Sequence, residues 1–378
     1  MCQEKPFYLR GKMVSKLVKK GIASVRPYVP GKPIEVVKRE LGLKDVIKLA
    51  SNENPLGPSP LALQALREAI YQVHLYPEDG GPQLREAIAQ RLGVSPQEII
   101  LGSGSVEIIQ TIDMAFLNPG EKVVISDPSF ALYLIAAQVA GGKEVLIPLK
   151  DWKHDLEAMA KAVDGQTKLL FIDNPINPVG TMVTKGELEP FMERIPEETI
   201  VILDEAYHEF QERDDYPDSL QWVRKGHNVI VLRTFSKIYG LAGLRLGYGV
   251  AKREIVALLN QVRLPFNVNL LALRAAMACL GDEEHVLRTR ELNREEKGFL
   301  YEELDRMRVE YIPSETNFIM IELGQDAQSS FQEFLKQGVI VRPLGGYGLP
   351  TKIRLTVGKR EENEAFIRSL KRIIKGRS

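Results

Sequence analysis

A mostly parallel α/β sheet with helices on both faces, followed by a smaller α+β domain, is the fold class this sequence predicts. Three observations predict it. Short Val/Ile/Leu-rich runs recur between about residues 120 and 251, polar side chains gather where those runs end, and the pattern changes after about residue 275.

The runs are VVIS (123–126), EVLIPL (144–149), KLLFID (168–173), TIVILD (199–204), NVIVLR (228–233) and LGYGV (246–250). Near-continuous apolar runs fit strands buried on both faces, as in a parallel sheet covered by crossover helices. Asp173, Asn174, Asp204, Glu205, Arg233, Thr234 and Ser236 follow their C-terminal ends. Ligands of open α/β sheets collect outside those ends. Further on, residues 283–310 read as a charged helix, and NFIMIEL (317–323), VIVRPL (339–344) and IRLTVG (353–358) as strands. In the tail, Phe366, Ile367, Leu370, Ile373 and Ile374 form one apolar helical stripe. The expected division is a basic N-terminal tail (1–24), a large domain (47–275), and a small domain made of 25–46 and 276–378.

Length and composition bound the function. A chain of 378 residues exceeds the roughly 100–200 of one ordinary domain. Lysine plus arginine balances aspartate plus glutamate, 50 against 50, and this neutrality argues against a dedicated nucleic-acid binder. No stretch approaches the roughly 18 apolar residues of a membrane span. The two cysteines, Cys2 and Cys279, are too few for a disulfide framework or a structural zinc site, so a reducing, cytoplasmic setting is expected. Lys5, Arg10, Lys12, Lys16, Lys19 and Lys20 face only Glu4 in the first twenty residues, with no apolar stretch after them. A mobile tail, not a secretory signal, is the expectation. The five histidines show no metal-ligand spacing, Glu205 and Glu209 read as packing or salt-bridge acids, and no metal is assigned.

The most informative stretch is RTFSKIYGLAGLRLGYG (233–249). It sets Lys237 just past a buried strand, with Ser236 before it and Arg245 beyond. A lysine in such a loop can be desolvated, which lowers its pKa and makes the neutral amine a nucleophile. An isolated lysine there would read as a surface residue, but this one has company. Ser236 and Arg245 can hold a phosphate, and Asp204 ends an earlier strand. A Schiff-base cofactor with a phosphate and a pyridine nitrogen needs this set: a lysine, an acid for the ring nitrogen, and donors for the phosphate. GSGSVEII (102–109) adds a glycine turn opening a helix, whose first amides at Ser105 and Val106 suit a dianion.

These residues carry a resemblance. RPYVPGKP (26–33), KLASNENPLGPSP (48–60), YPEDGGPQLREAIA (76–89), DNPINPVG (173–180), DEAYHEF (204–210), TFSKIYGLAGLRLGY (234–248), PSETNF (313–318) and IRLTVG (353–358) resemble, in that order, the fold-type I pyridoxal-phosphate aminotransferases, and among them the histidinol-phosphate aminotransferases. The likeness runs from about Val25 to the C-terminus and implies an aspartate-aminotransferase-like fold with pyridoxal 5'-phosphate as cofactor. By resemblance, Lys237 binds the cofactor as an imine and later shuttles the substrate proton, and Asp204 pairs with the pyridine nitrogen. Tyr207 and Asn177 hydrogen-bond the phenolic oxygen, and Phe130 lies against the ring. Ser105, Val106, Ser236 and Arg245 hold the phosphate. Tyr76 resembles the tyrosine that reaches the phosphate of a neighbouring subunit, which implies a homodimer with composite active sites. Arg354 matches the arginine that forks onto a carboxylate, a geometry lysine does not offer. Asn52 falls nearby, and Tyr28 and Arg342 are placed like distal phosphate contacts.

Two departures stand out. Ser103 and Val106 replace the family's usual Asn and Asp, and Ile176 and Val179 replace its usual Asn and Thr. The resemblance implies small-molecule substrates, L-histidinol phosphate with 2-oxoglutarate or glutamate, in histidine biosynthesis. An aromatic amino-acid aminotransferase shares most of this framework, and a threonine-phosphate decarboxylase is a further alternative.

Overall fold

The computed structural model describes residues 17–19, 21–22 and 25–375. Of the basic tail, Lys5, Arg10, Lys12, Lys16 and Lys20 lie outside the described residues; Lys19 Nζ donates to the Val139 carbonyl at 2.7 Å, near the end of the helix Ala131–Ala140.

In chain order the strands are β1 (Ile47–Lys48), β2 (Ile99–Gly102), β3 (Lys122–Asp127), β4 (Lys143–Pro148), β5 (Thr167–Asp173), β6 (Ile200–Asp204), β7 (Val229–Thr234) and β8 (Gly247–Ala251). There follow β9 (Tyr311–Ile312), β10 (Phe318–Glu322), β11 (Val339–Ile340), β12 (Arg342–Pro343) and β13 (Lys352–Thr356). The large sheet has the order β2-β8-β7-β6-β5-β3-β4. Its neighbours pair in parallel except at β8, which runs against both β2 and β7.

The continuous apolar runs have a simple cause. Along β5, β6 and β7, alternate side chains feed two separate cores. Leu170, Ile172, Val201, Leu203, Val229 and Val231 pack on one face. Leu169, Phe171, Ile200, Ile202, Ile230 and Leu232 pack on the other, against Ile108, Ile109 and Ile112 of the helix Ser105–Phe116. Each such fully buried branched side chain contributes roughly 1.5–3 kcal/mol. Asp173 and Asp204 continue that alternation onto the face of the Ser105–Phe116 helix, where the strands run out of core.

The sequence reading missed β2. It is only four residues long and lies between a short turn and the glycines of GSGS, so its apolar run carries little periodic signal. LGYGV becomes a strand, but one that reverses the sheet's direction, because the chain after β7 turns back on itself within one loop. Gly247 answers a tight approach there: a Cβ would lie 2.4 Å from the Ser105 amide nitrogen.

The C-terminal part forms an antiparallel sheet in the order β12-β13-β10-β9. Ile319, Ile321, Ile353 and Leu355 pack against Leu300 and Leu304 of the helix Glu283–Arg306, and against Phe366 and Leu370 of the helix Arg360–Lys375. The helix Ile34–Leu41 buries Val37 against Leu335 and Ile340, and β1 pairs in parallel with β11. The early segment thereby joins the late one. Among the described residues no helix is long and apolar enough to cross a membrane.

Candidate active site

The parallel register pairs Asp173 with Asp204, so two carboxylates stand side by side at the ends of β5 and β6. Both are buried. The Tyr133 hydroxyl donates to Asp204 Oδ2 at 2.8 Å and the Ala206 amide donates to Oδ1 at 3.1 Å. Burial pushes the Asp204 carboxyl up to about 7, and the neighbouring charge of Asp173 adds to the shift, against the pull of the Tyr133 hydrogen bond. A carboxylate so placed gains most from a cationic partner. The next residue turns the other way: Glu205 accepts two hydrogen bonds from Arg233, at 2.9 and 2.8 Å, in a buried pair.

Lys237 follows β7, on a turn in which the Ser236 amide donates to Thr234 Oγ1 at 3.1 Å. Its Nζ donates to the Ser51 carbonyl at 3.3 Å and lies 5.7 Å from the Tyr207 ring centroid. Desolvation, helped by the charge of Arg354, brings the amine down to about 8. At that value a substantial share of the amine is neutral near physiological pH, as a nucleophile requires.

Beside it stands an anion cradle. The helix Ser105–Phe116 starts after Gly104, which supplies no side-chain cap, so the Ser105 and Val106 amides face the cavity without a competing side chain. Arg245 packs flat on that turn: a Cβ at Gly104 would sit 2.5 Å from its Nη2. Arg245 Nη1 also lies 3.4 Å from Ser236 Oγ and donates to the Ala242 carbonyl at 3.0 Å.

The opposite wall comes from far along the chain. Arg354 Nη2 donates to the Ala50 carbonyl at 2.9 Å and Nη1 donates to Asn177 Oδ1, while its buried Nε has no partner. Asn52 takes a left-handed φ of 55°, its amide donates to Thr356 Oγ1 at 2.9 Å, and its Nδ2 donates to Tyr207 Oη at 2.8 Å. That leaves the Tyr207 O–H and the Asn177 Nδ2 free of these contacts and available as donors.

A cavity of about 250 Å³ joins these groups. It is lined by Tyr28, Asn52, Ser105, Val106, Phe130, Asn177, Asp204, Tyr207, Ser236, Lys237, Arg245 and Arg354, all singled out from the sequence. Two others stand apart. Arg342 donates to the Val29 carbonyl and lies 5.4 Å from the ring centroid of Tyr28, without itself lining the cavity. Tyr76 is 82% exposed, stacked on Phe266 with centroids 4.7 Å apart. The sequence reading missed Tyr133 and Tyr347, which also line the cavity. Tyr133 lies three residues after Phe130 in DPSFALY, in the first turn of the helix that Phe130 precedes, and that spacing was the available signal. Tyr347 sits in a loop of glycines that offers none. The departures at Ile176 and Val179 also find a reason: both are fully buried in an apolar cluster with Met320 and Leu344, where a polar side chain would need partners.

Residues 44–370 match the family model of aminotransferase class I and II. The chain belongs to that family. Among curated relatives of this aminotransferase, the histidinol-phosphate aminotransferase of Moorella thermoacetica is 50% identical over 357 residues, covering 94% of this chain and 92% of the relative. The histidinol-phosphate aminotransferase of an Anaeromyxobacter species is 49% identical over 360 residues, covering 95% and 99%. Among solved structures, the Sinorhizobium meliloti histidinol-phosphate aminotransferase in complex with pyridoxal-5'-phosphate superposes with a TM-score of 0.88 at 28% identity, covering 96% of this chain and 98% of that one. The aminotransferase fold of these neighbours is the one described above.

Proposed function

We propose that this aminotransferase moves the amino group between L-histidinol phosphate and 2-oxoglutarate in histidine biosynthesis, in the cytoplasm, with pyridoxal phosphate held on Lys237. The observation that carries the reading is one cavity uniting a depressed lysine, a buried aspartate, an uncapped helix start with Arg245, and a buried arginine with an unpartnered Nε. Half-identity to relatives of that name supports the substrate.

The donor set fits the cofactor. Ser105, Val106, Ser236 and Arg245 would hold its phosphate, Asp204 its ring nitrogen, and Tyr207 with Asn177 its phenolic oxygen; Phe130 would cover the ring. When bound, pyridoxal phosphate supplies the electron sink for charge left at the substrate carbon. Asp204 keeps a proton on the ring nitrogen, and Tyr207 donates its O–H to the phenolic oxygen. Lys237 Nζ carries the proton to and from the substrate carbon. Arg354 orients the α-carboxylate of glutamate or 2-oxoglutarate in one half-reaction. Histidinol phosphate has no such carboxylate, so in the other half-reaction Arg354 would turn to the substrate phosphate, with Tyr28 and Arg342 in support.

We infer a homodimer. Tyr76 is exposed and stacks on the exposed Phe266, and the nearby chain also exposes Tyr71, Leu75 and Leu264, apolar area a second copy would cover. Residues 47–275 would hold the cofactor, with 25–46 and 276–378 closing over the substrate. A panel of histidinol phosphate, phenylalanine, tyrosine and threonine phosphate at equal concentration tests the substrate, and the highest kcat/KM is expected for histidinol phosphate. A higher value for the aromatic amino acids would move the assignment to an aromatic aminotransferase. Mixed Tyr76→Phe and Lys237→Ala chains test the shared site: if Tyr76→Phe alone is impaired, heterodimers should regain activity.

A further inference from the structure

Asp173 is a buried carboxylate to which the reading above gives no task. It ends β5 in register with Asp204 and lines the same cavity. Its two oxygens serve different loops. Oδ1 accepts from Ser129 Oγ at 2.8 Å, and Oδ2 accepts from the Asn177 amide at 2.8 Å. The amide of Phe130 also donates to it. These donors favour the ionised form, although burial raises its pKa to about 6.

The groups around it leave that charge uncancelled. His154 Nε2 lies 2.8 Å from the Asp173 carbonyl oxygen and 3.6 Å from its carboxylate Oδ1, and Nδ1 lies 2.6 Å from Ser126 Oγ. The pattern suits a neutral ring with the proton on Nε2, which carries no charge to the carboxylate. Burial agrees, bringing His154 down to about 4. Tyr133, on the helix Ala131–Ala140, spends its hydroxyl on Asp204. Arg354 reaches Asn177. The charge of Asp173 is felt on the neighbouring strand, where it adds to the rise of the Asp204 carboxyl.

We propose that Asp173 is a positioning residue: its carboxylate fastens the Phe130 loop to the Asn177 loop and sets a second negative charge beside Asp204. The proposal rests on the reading that Asp204 would hold the ring nitrogen of pyridoxal phosphate and Phe130 would cover its ring. Fastening holds the ring-covering side chain and the Asn177 donor in one frame. The charge favours the protonated ring nitrogen, as any nearby anion favours a cation. Two substitutions separate these effects. Asp173→Asn keeps the shape and an acceptor oxygen but removes the charge. Ser129→Ala removes one fastening hydrogen bond and keeps the charge.

The experiment loads wild type and both variants with pyridoxal phosphate and follows the visible absorbance of the bound cofactor against pH, together with its dissociation constant. For Asp173→Asn the titration midpoint is expected to fall by about half a pH unit or more. Ser129→Ala is expected to weaken cofactor binding by about three- to tenfold, with the midpoint unmoved. If the Asp173→Asn midpoint matches wild type, the charge effect is overturned; if Ser129→Ala binds like wild type, the fastening is overturned. Should wild type itself take up no cofactor, the functional reading falls and the proposal with it. Normal loading and titration by all three proteins overturns the proposal alone.

Discussion

The floor of the cavity draws Asp173, Asp204 and Lys237 from neighbouring strands of one sheet, whereas its wall joins Asn52 and Arg354 through hydrogen bonds between segments 304 residues apart in the chain. On the floor, parallel register does the placing. Once β5, β6 and β7 pair, two carboxylates and the lysine turn have nowhere else to go, and both cores of the sheet lock them. The wall is scaffolded from two places: Arg354 stands on β13 of the small sheet, paired with Met320 and Arg342, whereas Asn52 belongs to the early segment. The bonds that bring them together, Asn52 to Thr356 and Arg354 to Ala50, exist only after the early segment has docked on the small sheet. Changes to the floor should therefore strike the chemistry with little loss of fold, and changes to the wall should strike substrate affinity and docking.

The largest expected effect is on the floor. Lys237→Ala should lower turnover by about 10⁴-fold, since both the covalent anchor and the proton carrier are lost. Thermal unfolding of the apo-protein should change little. The wild-type amine also predicts a pH dependence: raising the pH deprotonates it, so cofactor uptake by the apo-protein should speed up through about pH 8 and then level off. Uptake that instead rises only near the ordinary lysine value of 10.5 would show that the site does not depress this amine.

Next comes Asp204→Ala, with about two to three decades lost in the single-turnover rate and weaker cofactor binding. A rate near wild type would remove Asp204 from the floor's chemistry.

On the wall, Arg354→Lys should raise KM for 2-oxoglutarate by roughly ten- to a hundredfold with a smaller change in kcat, because an ammonium cannot fork onto a carboxylate. An equal fall in kcat and kcat/KM would instead tie Arg354 to the transition state and blur the contrast between floor and wall.

The smallest effect is expected at Thr356→Val. It strips the buried Asn52 amide of its acceptor and should cost about 1 kcal/mol in urea unfolding, with a severalfold rise in KM. A loss confined to stability, with KM unchanged, would show that the docking of the early segment does not reach the substrate.

How far the site could be read beforehand follows the same division. The strand runs, the polar residues at their ends and the lysine turn are local in sequence, so Asp204, Ser236, Lys237 and Arg245 could be chosen from their immediate context, while Tyr207 came only with the family resemblance. Ser105 and Val106 followed from a glycine turn opening a helix. Tyr133 had a local signal in its spacing from Phe130, yet its role depends on a 2.8 Å contact with a strand 71 positions along the chain, which that spacing does not show. Asp173 was visible as a strand-end acid, yet its bonds to Ser129 and to the Asn177 amide were not.

By itself the sequence determined the layered α/β plan, the helix that opens at Ser105, the apolar stripe of the last helix and most of the residues around the cavity. The plan, the helices and the residues of the lysine turn depend on periodicity and neighbouring residues, which short-range sterics and burial act on directly. Tyr28, Asn52, Phe130, Asn177, Tyr207 and Arg354, by contrast, were implied by the family resemblance alone. Only the tertiary structure decided that β8 reverses the sheet, that Glu205 turns to Arg233 while Asp204 faces the cavity, and that Ile176 and Val179 close an apolar seam against Met320 and Leu344. Each of these depends on which distant surface arrives opposite a residue, and long-range pairing settles that after local structure has formed.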